Sequence, residues 1–414
     1  MIPDRLCALS NYRGILVTSS SNRFTLFTLS GIMCTRMLGL FMILPVFSVY
    51  AMHLLHASKT SMGVALGIYG LTQAIFQMPF GILSDHIGRK PVIFAGLCML
   101  IIGSIICANA SSIDTLCIGR ALQGAGAIGS TVLAFVADVT PEATRGKAMA
   151  FIGLSIGTAF IVAMIAGPLI AYSFHLSGIF WVTALLACIG MLFLIKIPAH
   201  KIMVRTSTTR EKFLNILSNP SLIKLNLSIF FLHAILTALF VAIPLMLTQT
   251  LVLSQLQQIS LYFGVLCVSF MFAIPCIVIA EKKQKMSLIF LCSISVILST
   301  QIALLFFHQD IIFVSVLLFI FFTAFTVLEA TLPSQISKIV PPHNKGAAMG
   351  IYSSCQFLGI FTGGTLGGIV LSHAAARDIF ALCGVIAVLW LAMVLLFNIP
   401  QLQNTKVAGN LRNM

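Results

Sequence analysis

The stretch GILSDHIGRK, residues 81–90, separates two strongly apolar runs, GIYGLTQAIFQMPF before it and PVIFAGLCMLIIGSII after it. Four ionisable groups (Asp85, His86, Arg89 and Lys90) fall within six positions of a chain that is only 8% charged. The flanking runs are each long enough to cross about 30 Å of hydrocarbon as a helix, so the stretch reads as a tight polar turn between two membrane-spanning helices. A solvated turn accounts for the charge. It does not account for an acid and a base four residues apart beside Gly81 and Gly88.

The same pattern repeats along all 414 residues, 59% of which are hydrophobic. A soluble domain is nearer half apolar and about a quarter charged. Twelve apolar runs are expected near 25–50, 61–83, 91–110, 113–137, 148–171, 176–196, 223–248, 258–280, 286–307, 311–337, 346–371 and 378–397. Because they are continuous and do not alternate, they read as helices and not as strands of a barrel. The predicted organisation is an N-terminal tail (1–23), a six-helix bundle (24–196), a central loop (197–222), a second six-helix bundle (223–397) and a C-terminal tail (398–414). This is an all-α membrane protein of twelve transmembrane helices in two pseudo-symmetric bundles.

The formal net charge of +14 could suggest a nucleic-acid binder, but the placement of the bases argues otherwise. With both termini on one side, twenty of the 24 Lys and Arg fall on that side. Lys59 and Arg377 fall on the other, and Arg36 and Arg120 lie inside spans. The bias marks the richer side as cytoplasmic, so the basicity reports topology. The expected partners are the lipid bilayer and a small-molecule substrate, with no nucleic acid, and the chain is expected to act as a monomer. The first 23 residues are polar and basic, so the first span reads as an uncleaved signal-anchor. Ten of the eleven cysteines lie in spans and no CxxC occurs, which suits packing residues better than a redox or metal site.

The two halves share sequence. PEATRGKAMA (141–150) aligns with PPHNKGAAMG (341–350) at an offset of 200. Pro45 corresponds to Pro244, and Pro79 and Asp85 recur as Pro275 and Glu281. Two parallel six-helix repeats are an architecture of secondary transporters that rock about a central site. The residues then become specific. GILSDHIGRKP resembles the loop 2–3 signature of the major facilitator superfamily, G-x-L-[SA]-D-x-x-G-R-[KR]-P. IGRALQGAGA (118–127) resembles its helix 4 motif, R-x-x-Q-G. IGTAFIVAMIAGPLIA, with Gly157, Gly167 and Pro168, resembles the helix 5 motif of its proton-coupled antiporters. It departs from that motif at Ala163, Ala171 and Tyr172. RMLGLFMILPVF, KAMAFIG and YSSCQFLGIFTGG extend a similarity to the YajR-type bacterial inner-membrane transporters across essentially the whole helical chain. The resemblance implies a multi-pass protein of the bacterial inner membrane. That group carries a small soluble C-terminal domain; this sequence ends at residue 414, soon after the last span, and no such domain is expected.

In the opening turn, Gly88 suits a left-handed helix end and Pro91 suits the first turn of the next helix. Asp85 is left over: exposed at a helix C-terminus it faces the negative end of the dipole, at a cost of roughly 0.3–1 kcal/mol. Its candidate partners are Arg89, an Arg89 shared with Asp138, and the N-terminus of span 11 at Gly346, Ala347 and Ala348, whose free N–H groups welcome an anion. The resemblance implies the last contact and a gate built from Gly81, Asp85, Gly88, Arg89 and Asp138.

Arg36, Arg120 and Glu329 lie deep in apolar runs, where each costs at least about 2.5–3.5 kcal/mol on insertion scales. Each therefore needs a cavity or a partner. Glu329 is the one deep acid among ten and suits reversible protonation in proton coupling; a permanent ion pair with Arg36 or Arg120 is the other reading. His233 is a packing histidine or a functional group. Gln73, Gln77 and Gln123 line a cavity or join helices. The spans contain no metal-ligand cluster or nucleophile–base motif, so an enzyme is not expected. The expected function is alternating-access transport driven by the proton gradient without a cofactor, most simply export of a drug-like or metabolite solute. A facilitator, a proton-coupled uptake carrier and a non-transporting sensor are the alternatives.

Overall fold

The computed structural model describes residues 24–197 and 218–396, less 284, 342 and 343. The expected tails 1–23 and 398–414 and most of the central loop 197–222 lie outside them. The described residues contain α1 (Phe24–Phe41), α2 (Phe47–Tyr50), α3 (Lys59–Ile87), α4 (Arg89–Ala108), α5 (Ile113–Ala125), α6 (Gly129–Val139) and α7 (Glu142–Lys196). The second half supplies α8 (Pro220–Leu245), α9 (Gln255–Lys282), α10 (Met286–Phe307), α11 (Ile311–Ile339), α12 (Lys345–His373) and α13 (Asp378–Leu396). No strand occurs among the described residues beyond one bridge, Leu55 to Ser112, which ties two connections together.

The spans differ from their expected outlines in three places. Span 1 is broken at 42–46, around Pro45. Span 4 is broken at 126–128, where α5 ends and α6 begins. Spans 5 and 6 form one 55-residue helix, α7, with the backbone leaving helical geometry at His175 (φ 54, ψ −163). That conformation is strained for a residue with a Cβ. It turns the chain in a single residue where a loop was expected, and twelve crossings result. The second half is more regular: Pro244, the counterpart of Pro45, stays inside α8 and is followed by a π turn at Met246–Thr250.

One end of the molecule carries the turn at Gly88 and is called here the basic face. At the other end, polar residues cap the helices that start there. Ser58 and Ser254 form capping boxes with Ser61 and Gln257, and Asp310 accepts from the N–H groups of Ile312 and Phe313 at 2.7 and 3.3 Å.

The halves meet along a glycine seam between α3 and α12. A Cβ at Gly63 would lie 2.3 Å from Gly364 O, one at Gly67 would lie 2.8 Å from Phe361 O, and one at Gly70 would lie 2.4 Å from Phe357 O. Small residues let the backbones touch, which is how helices associate where lipid removes the hydrophobic drive. The seam continues to Ser354, whose hydroxyl donates to Ala74 O at 3.2 Å. Nearer the basic face, Gly346 and Gly350 have nothing within 4 Å of their Cβ positions. A second contact between the halves joins Gln255 Nε2 to Pro168 O at 2.5 Å. Phe160 packs on Phe322 and Phe325 of α11, with ring centroids 6.2 and 6.5 Å apart. The halves are therefore tied at the far face and at mid-height, and the seam loosens toward the basic face.

Candidate functional site

At the basic face, Arg89 opens α4 and sits at the centre of the turn. Its Nη1 lies 2.6 Å from Asp85 Oδ1 and donates to Ser84 Oγ at 2.6 Å, and its Nε donates to Asp138 Oδ2 at 3.0 Å. Arg89 is 18% exposed, against 51% and 39% for Asp85 and Asp138, so the arginine is the sheltered member and the acids are its rim. Gly88 has φ 100 and ψ 156: positive φ as expected, but an extended backbone where a left-handed helical one was expected. It ends α3 and begins α4 without an intervening residue. Gly81 faces the same half, where its Cβ position is 3.3 Å from Ser130 Oγ.

The expected contact between Asp85 and the start of α12 is not made. No hydrogen bond or ion pair joins them among the described residues, and Gly346 stands open. The physical reason is that Arg89 already holds Asp85 at 2.6 Å, while nothing lies within 4 Å of the Gly346 Cβ position. The second half repeats the cluster in simpler form. Glu281 and Lys338, at the repeat positions of Asp85 and Asp138, pair directly at 3.6 Å with both side chains about half exposed. Lys90, treated in the sequence only as a topogenic charge, donates to Ile197 O and, at 3.4 Å, to Ile195 O. A cation there meets the negative end of α7.

Near mid-height of the second half, Gln356 of α12 joins Glu329 of α11 to His233 of α8. Its Nε2 donates to Glu329 Oε1 at 3.2 Å and lies 2.9 Å from His233 Nε2. His233 Nδ1 is 3.3 Å from Ile229 O. With Nδ1 donating to that carbonyl, Nε2 carries the lone pair that accepts from Gln356. Glu329 Oε2 lies 3.7 Å from the same Nε2 and has no hydrogen-bond partner, although the side chain as a whole keeps 37% exposure. The carboxyl group thus keeps one buried oxygen unsatisfied. The alternative of a permanent ion pair with Arg36 or Arg120 is corrected: among the described residues neither arginine has a carboxylate within 4.0 Å.

Those arginines belong to a separate network in the first half, built around Tyr69. Arg36 Nη2 donates to Tyr69 Oη at 3.0 Å and to Gln73 Oε1, and Gln73 Nε2 donates to Gln77 Oε1 at 2.7 Å. Arg120 lies over the Tyr69 ring, 4.8 Å from its centroid, and donates to Gln123 Oε1 at 2.9 Å. Gln123 in turn donates to Ser104 Oγ at 2.8 Å. Gln123 therefore joins helices, and the break at 126–128 places Gly129 beside Gln77 and Arg36.

The helix 5 motif residues act in packing. A Cβ at Gly167 would lie 2.2 Å from Met42 O, Gly157 faces the Phe270 ring at 3.6 Å, and the Pro168 carbonyl accepts from Gln255. Gln356, Tyr69 and Ser84 were missed as site residues. Gln356 and Tyr69 carried a signal, being polar groups in the apolar stretches YSSCQFLGIFTGG and GIYGLTQAIF. Ser84 did not stand out in an already polar turn.

Comparison with known proteins places this arrangement. The family model described as Major Facilitator Superfamily matches residues 29–364 and, again, 289–411. The chain is 41% identical over 362 residues to the inner membrane transport protein YajR of Escherichia coli K12, covering 86% of this chain and 80% of that protein. A class G tetracycline resistance protein of Vibrio anguillarum is 34% identical over 134 residues, about a third of each chain. Among solved structures, the nucleoside transporter NupG superposes with a TM-score of 0.70 over 90% of this chain and all of its own, at 15% identity, which speaks for the fold alone. The all-α architecture, the two halves and these matches agree, and the chain belongs to the major facilitator superfamily of membrane transporters, not to an enzyme family.

Proposed function

We propose that the chain is a proton-coupled exporter of small solutes that works by alternating access in the bacterial inner membrane, with the basic face cytoplasmic. The observation that carries this reading is the Glu329 cluster. Among the described residues, a carboxyl group near mid-height is hydrogen-bonded by Gln356, lies beside His233 and within electrostatic reach of Tyr352, and keeps one buried oxygen unpartnered on a side chain that is 37% exposed. Such a group can take up a proton from one side and release it to the other, because no arginine holds it ionised. Gln356 positions it, and His233 lies beside it. The partial likeness to a tetracycline resistance protein supports the outward direction. The Asp85–Arg89–Asp138 cluster is the gate at the cytoplasmic face.

The test is counterflow in proteoliposomes under an imposed pH gradient. The wild-type chain moves solute faster when protons run against the solute, and Glu329→Gln loses that response. A Glu329→Gln carrier whose flux follows the gradient normally would overturn the assignment.

A further inference from the structure

The first half holds two buried cations with no acid to answer them among the described residues. Arg36 is 2% exposed and Arg120 is 1% exposed; both engage Tyr69, and neither has a carboxylate among the described residues. A buried charge normally finds a counter-charge, since one left alone is costly. Arg36 is also short of acceptors, because its Nε and Nη1 have no hydrogen-bond partner. Nη1 lies 3.6 Å from the Cβ position of Gly129, the first residue of α6, and Gln77 Nε2 lies 3.1 Å from it. The α6 N-terminus carries no side-chain cap, so its free N–H groups add partial positive charge at the same place.

The internal repeat sharpens the point. At the offset of 200 that pairs Asp138 with Lys338, Gly129 pairs with Glu329. Where the second half projects its own carboxylate, the first half has a glycine and a guanidinium with unused donors. We propose that this cradle of Arg36, Gln77 and the α6 N-terminus receives the anionic head of the transported solute, a carboxylate or a phosphate ester. The solute supplies the negative charge that Gly129 omits. The inference rests on the transport role for the ligand's identity as cargo, but not on proton coupling through Glu329.

The test uses the full-length chain purified in detergent, with thermal unfolding followed by fluorescence. The probes are benzoate and phenyl phosphate. Benzyl alcohol serves as the neutral control with a similar apolar body, and sodium chloride at matched ionic strength as the salt control. At saturation the anionic probes raise the midpoint by about 2–4 °C and the controls do not. Comparing the two probes assigns the head group. Arg36→Gln removes the rise. Gly129→Asp, which brings a carboxylate to Arg36, removes it too while leaving the protein folded, so the outcome does not hang on the arginine variant alone. No rise with either anion, an equal rise with benzyl alcohol, or a rise that survives in Gly129→Asp would overturn the proposal. The assay needs no gradient, so its failure and that of the Glu329 flux experiment are separate results.

Discussion

Arg89 shows how little energy the proposed gate would need. Its partners are a third to a half exposed, and ion pairs of that kind are worth about 1 kcal/mol or less. Such a cluster fits a contact that forms and breaks in every cycle better than a staple. What it contributes is geometry, because one planar guanidinium reaches Asp85, Ser84 and Asp138 together. A lysine offers a single ammonium and cannot span all three. Arg89→Lys is expected to slow transport several-fold while moving the unfolding midpoint by no more than about 2 °C. Flux and thermal unfolding of the same preparation check it, and a large stability loss with normal flux per folded molecule would contradict it. The sequence showed Arg89, Asp85 and Asp138 as neighbours of opposite charge in a polar turn. It could not show that Asp85 stays clear of α12, because that depends on the separation of the halves. Glu329 stood out as the one deep acid, whereas Gln356, a neutral polar group in an apolar stretch, carried only a weaker signal.

At the level of elements, the glycine seam decides how α3 and α12 can approach. At Gly67 a Cβ would fall 2.8 Å from a backbone oxygen and 3.0 Å from a backbone Cα of Phe361, so relief requires moving a helix. Gly67→Ala is expected to cost about 1–3 kcal/mol by overpacking and to lower the unfolding midpoint. Gly31→Ala, at an exposed helix position with nothing within 4 Å, is expected to be neutral or stabilising by up to about 1 kcal/mol. Measuring both midpoints separates packing from the general effect of losing a glycine. The spans themselves were legible because hydrophobic length reports them directly. The breaks at 42–46 and 126–128 and the one-residue turn at His175 were not legible. The two breaks lie inside runs that stay apolar throughout, where hydropathy does not register them, and between the runs ending at 171 and starting at 176 hydropathy does not tell that a single residue makes the turn.

For the whole molecule, the arrangement of the two halves is one of two that the proposed rocking requires. Contact is made at the far face and mid-height, and the ends of α3 and α12 at the basic face stand apart. Spin labels at Ile87→Cys and Gly346→Cys in a cysteine-free background are expected to report two distance populations in lipid. The longer one corresponds to the splayed form described here, and the shorter to a form in which Asp85 reaches α12. Asp85→Asn is expected to deplete the shorter population; a single distance unchanged by that substitution would refute the latch. The sequence by itself determined the class, the twelve crossings and the repeat, and it carries the expectation of sidedness. All four follow from hydrophobic length, the placement of charge and residue-by-residue likeness, which are properties of the chain read along its length. Only the tertiary structure decided which buried charges meet. It grouped Glu329 with His233 and Gln356 and left Arg36 and Arg120 without an acid among the described residues, because partnership in a bundle depends on helix rotation and on where the helices break.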